Sequence, residues 1–489
     1  MSTMTALRKI IFYTLALFYL IVCPLLILYS LGYILTPSEE AYLTKTGDIV
    51  LSTVPQGASV SLNGKNVNNK TPLILNALTP GQYDVEITLQ GYASWSATLP
   101  VTAGKAVALE HIILLKDPLT DKKISEDAFE NIIYSYDNSC LLFLKSKKIS
   151  SLCFYLTQTQ ETVPLSDKFA DYGDFSLSKT YKVKNSVNLI LEIKDKKVTK
   201  YLSVLFKDKT LEVTDVTELF ISGFDRVMWD PDKCDKVFLI DDKTVNMIDV
   251  QNNYVYPKWE TGILGLGVNE GNIFILKDDF ELSYTNYDKS SSQILLDDKD
   301  VASLIFSQDK RYEIFSLPDD IMVFMDYING GLYTNKLPYK LVQDTVLGLA
   351  LEKSKRKILF WQKNKIGIID FLKEITGAVL FEKGPKLKWA YDKGVNIEKC
   401  VLIYEGSHVL FNDSNRLFLY ELEDYGQPHI HKIADIKNGT SFFYLKQDGD
   451  VYFIDSRNSS PKVVSIIDKS VNVLKIEKKT KKIEEKDDI

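Results

Sequence analysis

Apolar residues dominate the stretch 10–35, which contains no charged side chain. About 20 apolar residues suffice to cross the hydrocarbon core of a bilayer, so the pattern predicts one transmembrane helix over 10–35. Two basic residues, Arg8 and Lys9, precede this stretch, and acidic residues follow it from Glu39 on. Because basic residues tend to stay on the cytoplasmic side, we expect residues 1–9 in the cytoplasm and the bulk of the chain outside, in a single-pass arrangement.

A cleaved signal peptide is the alternative explanation of this stretch. Signal peptides have an apolar region of about 7–15 residues followed by a small-residue cleavage site. The apolar stretch here is longer, and Thr36-Pro37 provides no such site. Cys23 follows Val22, where a lipoprotein signal requires a small residue, so lipidation is not expected. The pattern therefore favours an uncleaved membrane anchor.

From Gly47 onward, apolar and polar residues alternate. Within 82–90, Tyr83, Val85, Ile87 and Leu89 fall on one face and polar side chains fall on the other, which is typical of a half-buried strand. Asn63-Gly64 follows another short alternating segment, and this dipeptide is a strong hairpin signal because type I′ turns need positive φ at both central positions. The segment is therefore predicted to be a small β-domain.

The turn and strand residues of this segment resemble the PEGA family, small β-sandwich modules of bacterial and archaeal cell-envelope proteins. The resemblance is carried by Pro55-Gln56-Gly57-Ala58, Asn63-Gly64-Lys65, Thr71-Pro72, Pro80-Gly81, Tyr83, Gly91-Tyr92 and Trp95. Gln56 stands where the family has Glu. The resemblance implies an extracytoplasmic, non-catalytic module over 47–116, often tethered by a membrane helix. Tyr83, Tyr92 and Trp95 are interpreted as core residues in preference to a sugar-binding platform.

Short β-rich segments separated by polar turns recur after Phe129. Examples of a strand, a turn and a second strand are 132–134 with 140–144, 227–229 with 236–240, 304–306 with 312–315, and 347–351 with 357–361. Taking Tyr134, Trp229, Phe306 and Leu349 as equivalent gives gaps of 95, 77 and 43 residues, which fit one or two units of about 40–50 residues.

That unit length is the length of a four-stranded propeller blade, and closure into a ring protects the strand edges. We therefore expect a mainly β chain that ends in a seven- or eight-bladed β-propeller over 129–473, similar to WD40-like or TolB-like propellers in rhythm alone. Immunoglobulin-like sandwiches are disfavoured because no Pro/Gly/Ser-rich linker interrupts the region. The charged segment 474–489 is predicted to be a disordered tail.

Few residues suggest chemistry. His429 and His431 could begin a zinc site, but no third ligand is visible, since His111 and His408 lie on other predicted strands. The acidic residues Asp230, Asp232 and Asp235 lack the spacing of a calcium loop and are interpreted as turn residues. Cys140 and Cys153 could form a disulfide, although buried free thiols are favoured. No metal and no cofactor is therefore predicted.

Catalytic motifs for nucleophilic, nucleotide-dependent or zinc-dependent reactions are absent from the sequence. Three carboxylate pairs, Asp241-Asp242, Asp278-Asp279 and Asp319-Asp320, fall in predicted turns. The net charge of −6 argues against nucleic acid as a partner. We expect a non-enzymatic, membrane-anchored binding or scaffold protein of the bacterial cell envelope, whose propeller interacts with a protein or a cell-wall glycan. A carbohydrate-active enzyme on a propeller scaffold and a purely structural spacer are the alternatives.

Overall fold

The chain folds into two compact units. Among the described residues, the first unit contains 2–120 and 465–467, and the second contains 121–422 and 429–464. The computed structural model describes residues 2–35, 43–136, 140–182, 188–207, 210–220, 223–229, 235–269, 271–296, 298–352, 356–371, 373–376, 379–382, 384–422 and 429–467. The predicted tail at 474–489 lies outside these residues.

The first unit begins with the helix α1 (Ser2–Ser30), which contains Pro24. Its segment Ile11–Ser30 has a mean hydropathy of 2.5 and none of it is buried, so its length and composition suit a membrane span. The apolar pattern predicted that the helix would extend to Leu35, but the helix ends at Ser30. Gly32 takes a positive φ of 83° and its carbonyl accepts the amide of Thr46, which turns the chain into the hairpin of β1 (Tyr33–Leu35) and β2 (Leu43–Lys45).

The rest of the first unit is a sandwich of two sheets. Its strands are β3 (Gly47–Val54), β4 (Ser59–Leu62), β5 (Lys65–Lys70), β6 (Leu73–Leu78), β7 (Gly81–Thr88), β8 (Trp95–Val101) and β9 (Ala106–Ile113). One sheet has the order β5-β4-β7-β8 and the other has the order β6-β3-β9. Asn63 and Gly64 both have positive φ, 49° and 75°, as the predicted turn between β4 and β5 requires.

The second unit is a series of four-stranded antiparallel sheets, preceded by the short strand β10 (Asp121–Lys123). Sheet 1 contains β11 (Asn131–Tyr136), β12 (Cys140–Leu144), β13 (Leu152–Leu156) and β14 (Glu161–Pro164). Sheet 2 contains β15 (Ser176–Lys182), β16 (Asn188–Lys194), β17 (Thr199–Lys207) and β18 (Thr210–Asp215). Sheet 3 contains β19 (Arg226–Trp229), β20 (Lys236–Asp241), β21 (Thr244–Asp249) and β22 (Tyr254–Thr261). Short 3₁₀ helices lie at Ile149–Ser151, Ser166–Tyr172 and Thr217–Leu219.

Sheets 4 and 5 join into one eight-stranded sheet. Sheet 4 contains β23 (Ile263–Asn269), β24 (Asn272–Lys277), β25 (Leu282–Thr285) and β26 (Ser292–Leu296), and sheet 5 contains β27 (Tyr312–Leu317), β28 (Ile321–Asp326), β29 (Gly331–Thr334) and β30 (Lys340–Val342). Their first strands, β23 and β27, pair in parallel at Gly265 with Tyr312 and at Leu266 with Glu313. A Cβ atom on Gly267 would lie 2.2 Å from the carbonyl oxygen of Ile314, so this close approach depends on glycine.

A short helix separates sheets 4 and 5, where the sequence pattern predicted a strand over 304–306. This helix, α2 (Lys299–Ile305), begins after Asp298, whose side chain accepts the amides of Asp300 and Val301. Phe306 follows the helix and packs in the core at 4% exposure, so its assignment as the equivalent of the strand residue Trp229 was wrong. The N-cap interaction outweighs the apolar run, which was too short to distinguish helix from strand.

Sheets 6 and 7 complete the regular series. Sheet 6 contains β31 (Gly348–Glu352), β32 (Lys357–Trp361), β33 (Ile366–Asp370) and β36 (Lys386–Tyr391), with the hairpin of β34 (Lys373–Thr376) and β35 (Val379–Glu382) inserted before its last strand. Sheet 7 contains β37 (Ile397–Ile403), β38 (His408–Asp413), β39 (Arg416–Glu421) and β40 (Ile430–Asp435).

The last sheet joins the two ends of the second unit. Sheet 8 has the order β10-β43-β42-β41, with β41 (Phe443–Leu445), β42 (Asp450–Ile454) and β43 (Pro461–Ser465). Lys462 of β43 also forms an ion pair with Asp121 of β10 at 2.9 Å. The unit therefore begins before residue 129, the predicted start, because a charged three-residue strand shows no apolar alternation. This closure of consecutive sheets confirms the predicted β-propeller.

Candidate functional site

The two ends of the propeller sheets differ in the segments that they carry. In a four-stranded meander, the turn between the second and third strands lies at the same end as the connections to the neighbouring sheets. We call this end the connection face. The opposite end carries the turns between the first and second strands and between the third and fourth strands, and we call it the hairpin face. The chain enters the unit at Asp121 of β10, on the hairpin face.

A cavity of about 730 Å³ opens on the connection face. Arg226 of β19 and Glu313 of β27 line it, and both lie near the start of the first strand of a sheet. Ile328, Leu347 and Lys363 come from a turn or a connection on the same face. Five segments from sheets 3, 5 and 6 and their connections thus converge on one opening, as is common for binding sites built on rigid sheets.

An ion pair crosses the floor of this cavity. The guanidinium group of Arg226 donates to the carboxylate of Glu313, and it also lies over the ring of Tyr327 at 4.4 Å from the centroid. Burial raises the pKa of Glu313 above the usual range of a carboxyl group, while Arg226 opposes this shift. Arg226 is therefore held between a carboxylate and an aromatic face, which fixes a cation at the bottom of the cavity.

Trp361 forms part of the wall. Its indole ring lies against Gly348, where a Cβ atom would approach ring carbon Cζ2 to 2.4 Å, so the ring position depends on that glycine. The indole N–H is buried and has no acceptor among the residues that the structure describes. Buried donors without an acceptor are uncommon in folded proteins, which marks this wall as an unusual part of the propeller.

A second cavity, of about 470 Å³, lies on the same face and is lined by sheet 2 and by the connection from sheet 2 to sheet 3. Glu192 in this cavity accepts hydrogen bonds from the hydroxyl of Tyr181 at 2.5 Å and from Ser178 at 3.1 Å, and it pairs with Lys194 at 2.6 Å. Burial alone would raise the pKa of Glu192, but these hydrogen bonds hold it below its usual value. Asp225 also lines the cavity. The carboxylate of Glu192 is thus an ionised, fully engaged structural group.

His429 and His431, which the sequence suggested as the start of a zinc site, are not joined by a third metal ligand among the described residues. His429 lies 2.9 Å from the carboxylate of Glu421, and His431 is two residues further along, in β40. Burial and the neighbouring His429 lower the pKa of His431. Within the described ranges, no three His, Cys, Asp or Glu side chains are grouped so that they could hold a metal ion. Asp230 and Asp232 lie outside those ranges.

The cysteines of the suggested disulfide lie on neighbouring strands but out of register. Phe143 stands opposite Cys153, and Leu156 stands opposite Cys140. Both side chains are buried, and neither cysteine forms a disulfide. Burial raises the pKa of Cys153 to about 11. The structure therefore agrees with the interpretation as buried thiols.

The carboxylate pairs of the sequence pattern occupy turns and are partly engaged in ion pairs. Asp242 pairs with Arg311 across two sheets, and Asp319 pairs with Arg356. Asp278 lies 3.8 Å from Lys243. These contacts link the ends of different sheets, which is a structural role.

The aromatic residues of the small sandwich lie in or against its core. Trp95 is 4% exposed, and Tyr83 and Tyr92 pack against the same cluster of buried residues. The hydroxyl of Tyr83 donates to the carbonyl of Thr79 at 2.9 Å. The interpretation as core residues agrees with this packing.

Sequence reasoning did not identify Arg226, Glu313 or Trp361 as site residues. Arg226 and Glu313 are 87 residues apart, and each looks like an ordinary polar position at a strand end. The only usable signal was their position: Arg226 directly precedes the predicted strand 227–229, and Glu313 lies near the start of the predicted strand 312–315. Such a position becomes informative only when the ring arrangement is known.

Comparison with known proteins identifies one part of the chain by sequence. Residues 46–113 match the PEGA domain family. No curated protein matches the chain. Among solved structures, the β-propeller domain of Myceliophteria thermophila Cps50 (Swd1) has a TM-score of 0.34 at 9% identity and covers 60% of this chain and 99% of that chain.

Two further structures have similar scores. An oligogalacturonate lyase in complex with manganese has a TM-score of 0.35 at 10% identity and covers 58% of this chain and 87% of that chain. The N-terminal domain of Nup159 has a TM-score of 0.34 at 10% identity and covers 72% of this chain and 95% of that chain. At such scores the propeller assignment depends on the sheet topology described above. The chain thus carries a PEGA domain at 46–113, followed by a β-propeller.

Proposed function

We propose that the chain is a membrane-anchored, extracytoplasmic binding protein of the bacterial cell envelope, with the connection face of its propeller as the interaction surface. The observation that carries this proposal is the 730 Å³ cavity, with the fixed cation of Arg226 at its floor and exposed side chains at its rim. One blade per four-stranded sheet would give a ring of eight blades.

The apolar helix supports the membrane anchor. Ile11–Ser30 is long enough to cross a bilayer, and no part of it is buried against the protein. A bilayer would cover this apolar surface, which otherwise stays in water. The basic residues Arg8 and Lys9, which precede the apolar segment of the helix, support an outward-facing PEGA domain and propeller.

The carboxylates support binding over hydrolysis. A glycosidase needs one carboxyl group of raised pKa as the acid and a second carboxylate nearby. Glu313 has a raised pKa but is the only carboxylate that lines its cavity among the described residues. The second cavity on the connection face is lined by two carboxylates, Glu192 and Asp225, but the pKa of Glu192 is lowered. Neither cavity combines the two requirements.

Binding can be tested with the purified full-length chain in detergent micelles. The chain is immobilised and exposed to increasing amounts of solubilised envelope from the organism that encodes it. Saturable retention of a protein or a glycan is expected, and Arg226→Glu should weaken it because the fixed cation is replaced by a negative charge. Absence of any saturable partner would refute the proposal and favour the structural spacer.

Topology requires a separate test. A single cysteine placed at Asn66, an exposed position of the PEGA domain, should react with a membrane-impermeant maleimide added to intact cells after any outer barrier is permeabilised. A cysteine at Ser2 should react only after lysis. The reverse labelling pattern would contradict the proposed orientation.

A further inference from the structure

Exposed large apolar side chains of the propeller are distributed unevenly between its two faces. Among the described residues, several lie on outer, fourth strands, where edges are commonly exposed. Outside strands, those on the connection face are Val198, Leu304, Ile328, Leu347 and Val395. On the hairpin face, Leu337 is the only exposed large apolar residue outside strands among the described residues of the propeller. Contiguous exposed apolar surface commonly marks a protein interaction site.

Three of these side chains surround the cavity or its rim. Ile328 and Leu347 line the cavity and are each 57% exposed. Val395 is 64% exposed and lies in a segment that hydrogen-bonds to the turn of Lys363, since the amide of Ile397 donates to the Lys363 carbonyl at 2.7 Å. The apolar rim therefore continues from one sheet connection to the next.

The chemistry of this rim favours a protein over a glycan. Sugars are usually held by exposed aromatic faces and dense polar groups, whereas the rim side chains are aliphatic and branched. The aromatic rings that line the cavity are engaged, since Tyr327 lies under Arg226, Trp361 packs on Gly348 and Phe315 packs against a cluster of buried residues. Aliphatic side chains of a partner would bury the exposed parts of Ile328 and Leu347.

The charged residues that line the cavity indicate which charge a partner should carry. Arg226 and Lys363 are the cations that line the cavity, against the single carboxylate of Glu313. Arg226 is already paired with Glu313, whereas the ammonium group of Lys363 has no carboxylate partner among the described residues and is exposed. Lys393 is also exposed beside Val395. The nearby acidic residues are Asp344, Asp392 and Asp413, and the carboxylate of Asp413 accepts the amide of Val395 at 3.0 Å. The cavity itself therefore has room for one more negative charge.

We infer that the connection-face cavity docks a segment of another protein that presents an apolar side chain next to an acidic one. The apolar side chain packs between Ile328 and Leu347, and the acidic side chain pairs with Lys363. This inference rests on the proposed binding function and adds the class of the partner. A basic side chain in place of the acidic one would be repelled by Lys363.

Site-specific photocrosslinking in cells that produce the full-length chain tests this inference. A benzophenone amino acid replaces Leu347 in one variant and Leu337 in the matched control, since both are exposed leucines on opposite faces. Adducts are isolated after irradiation and the cross-linked peptide is sequenced by mass spectrometry. We expect a protein adduct at 347 in at least about ten-fold excess over 337, with Asp or Glu within about two residues of an apolar residue in the linked peptide.

Charge reversal supplies the second readout. Lys363→Glu should lower the adduct yield at 347 by about ten-fold, whereas Lys340→Glu, an exposed lysine on the hairpin face, should leave it within about two-fold. Thermal unfolding of both variants serves as the folding control, and Lys363→Arg should retain the yield.

Four results would overturn the inference: equal adducts at both positions, a glycan adduct at 347, a linked peptide with basic residues, or no effect of Lys363→Glu. Absence of an adduct at 347, while the immobilised chain still retains a saturable partner, would reject this docking mode and leave the proposed function standing. Absence of both would reject both.

Discussion

Replacing Gly267 by alanine probes the joined sheets 4 and 5. Alanine in a strand usually stabilises a protein relative to glycine, by about 0.5–1 kcal/mol, because glycine loses more backbone freedom on folding. At Gly267 the added Cβ would lie 2.2 Å from the carbonyl oxygen and 2.7 Å from the Cβ of Ile314. Both distances are far shorter than the roughly 3.5–4.0 Å of a favourable contact, so β23 and β27 must move apart.

The size of the effect follows from what this movement disrupts. Overpacking in a core costs about 1–3 kcal/mol. The parallel pairing at Gly265 and Leu266 would also weaken, at about 1 kcal/mol for each lost hydrogen bond. We therefore expect Gly267→Ala to destabilise the propeller by about 3 kcal/mol, a sign opposite to the usual effect of this substitution.

Urea unfolding followed by tryptophan fluorescence measures this change, because four of the five tryptophans lie in the propeller. With a slope of about 3 kcal/mol per molar urea, the midpoint should fall by about 1 M. Gly173→Ala is the matched control: Gly173 has a negative φ of −57°, and its added Cβ would meet the nearest atom at 3.6 Å. Gly173→Ala should raise the urea midpoint. If Gly267→Ala also raised the midpoint, or left it unchanged, the close approach of β23 and β27 would be refuted.

Three further predictions concern the core and the buried charges. Cys153, whose pKa is raised to about 11, and Cys140 should react with a thiol reagent at pH 8 only after unfolding; rapid reaction in the native state would contradict their burial. Trp95→Ala should destabilise the PEGA domain by about 3–5 kcal/mol, whereas Ile74→Ala, at a position 57% exposed, should change its melting little; similar effects would contradict the packing. Because the pKa of Glu192 is lowered by folding, its contribution to stability is present above about pH 4.3 and is lost as the pH falls through its lower folded value. Glu192→Gln should therefore reduce stability at pH 7 by about 1–3 kcal/mol and flatten the loss of stability below about pH 5; a parallel pH profile would show that this carboxylate contributes nothing.

The strand pattern of the propeller could be predicted because each sheet has apolar second strands bounded by polar turns. The predicted pair 347–351 and 357–361 corresponds closely to β31 and β32. The pattern failed where local interactions replaced alternation, as at Phe306, where a capped helix occupies the place of a strand. It also missed β10, whose three charged residues form a strand only because β43 is present to pair with it.

The candidate site was not predictable for a different reason. Asn63-Gly64 and the turn prolines of the PEGA domain form turns with their sequence neighbours, so these turns can be predicted from a short stretch of sequence. Arg226 and Glu313 acquire their roles from a contact across 87 residues, which depends on the arrangement of three sheets. Hydrophobic periodicity specifies which strands form, but it contains no information on which strand ends meet at the cavity.

Because β10 pairs with β43, the propeller can close only after β43 has been synthesised. Lys462 and Asp121 are 341 residues apart, so β10 leaves the ribosome long before its partner exists. At elongation rates of about 5–20 residues per second, β10 would wait about 20–70 s for β43. During that interval its charged side chains, from Asp121 to Lys123, discourage pairing with other nascent chains. The charged sequence of β10 gives no strand signal by itself, and it thus suits a strand that stays unpaired until β43 has been synthesised.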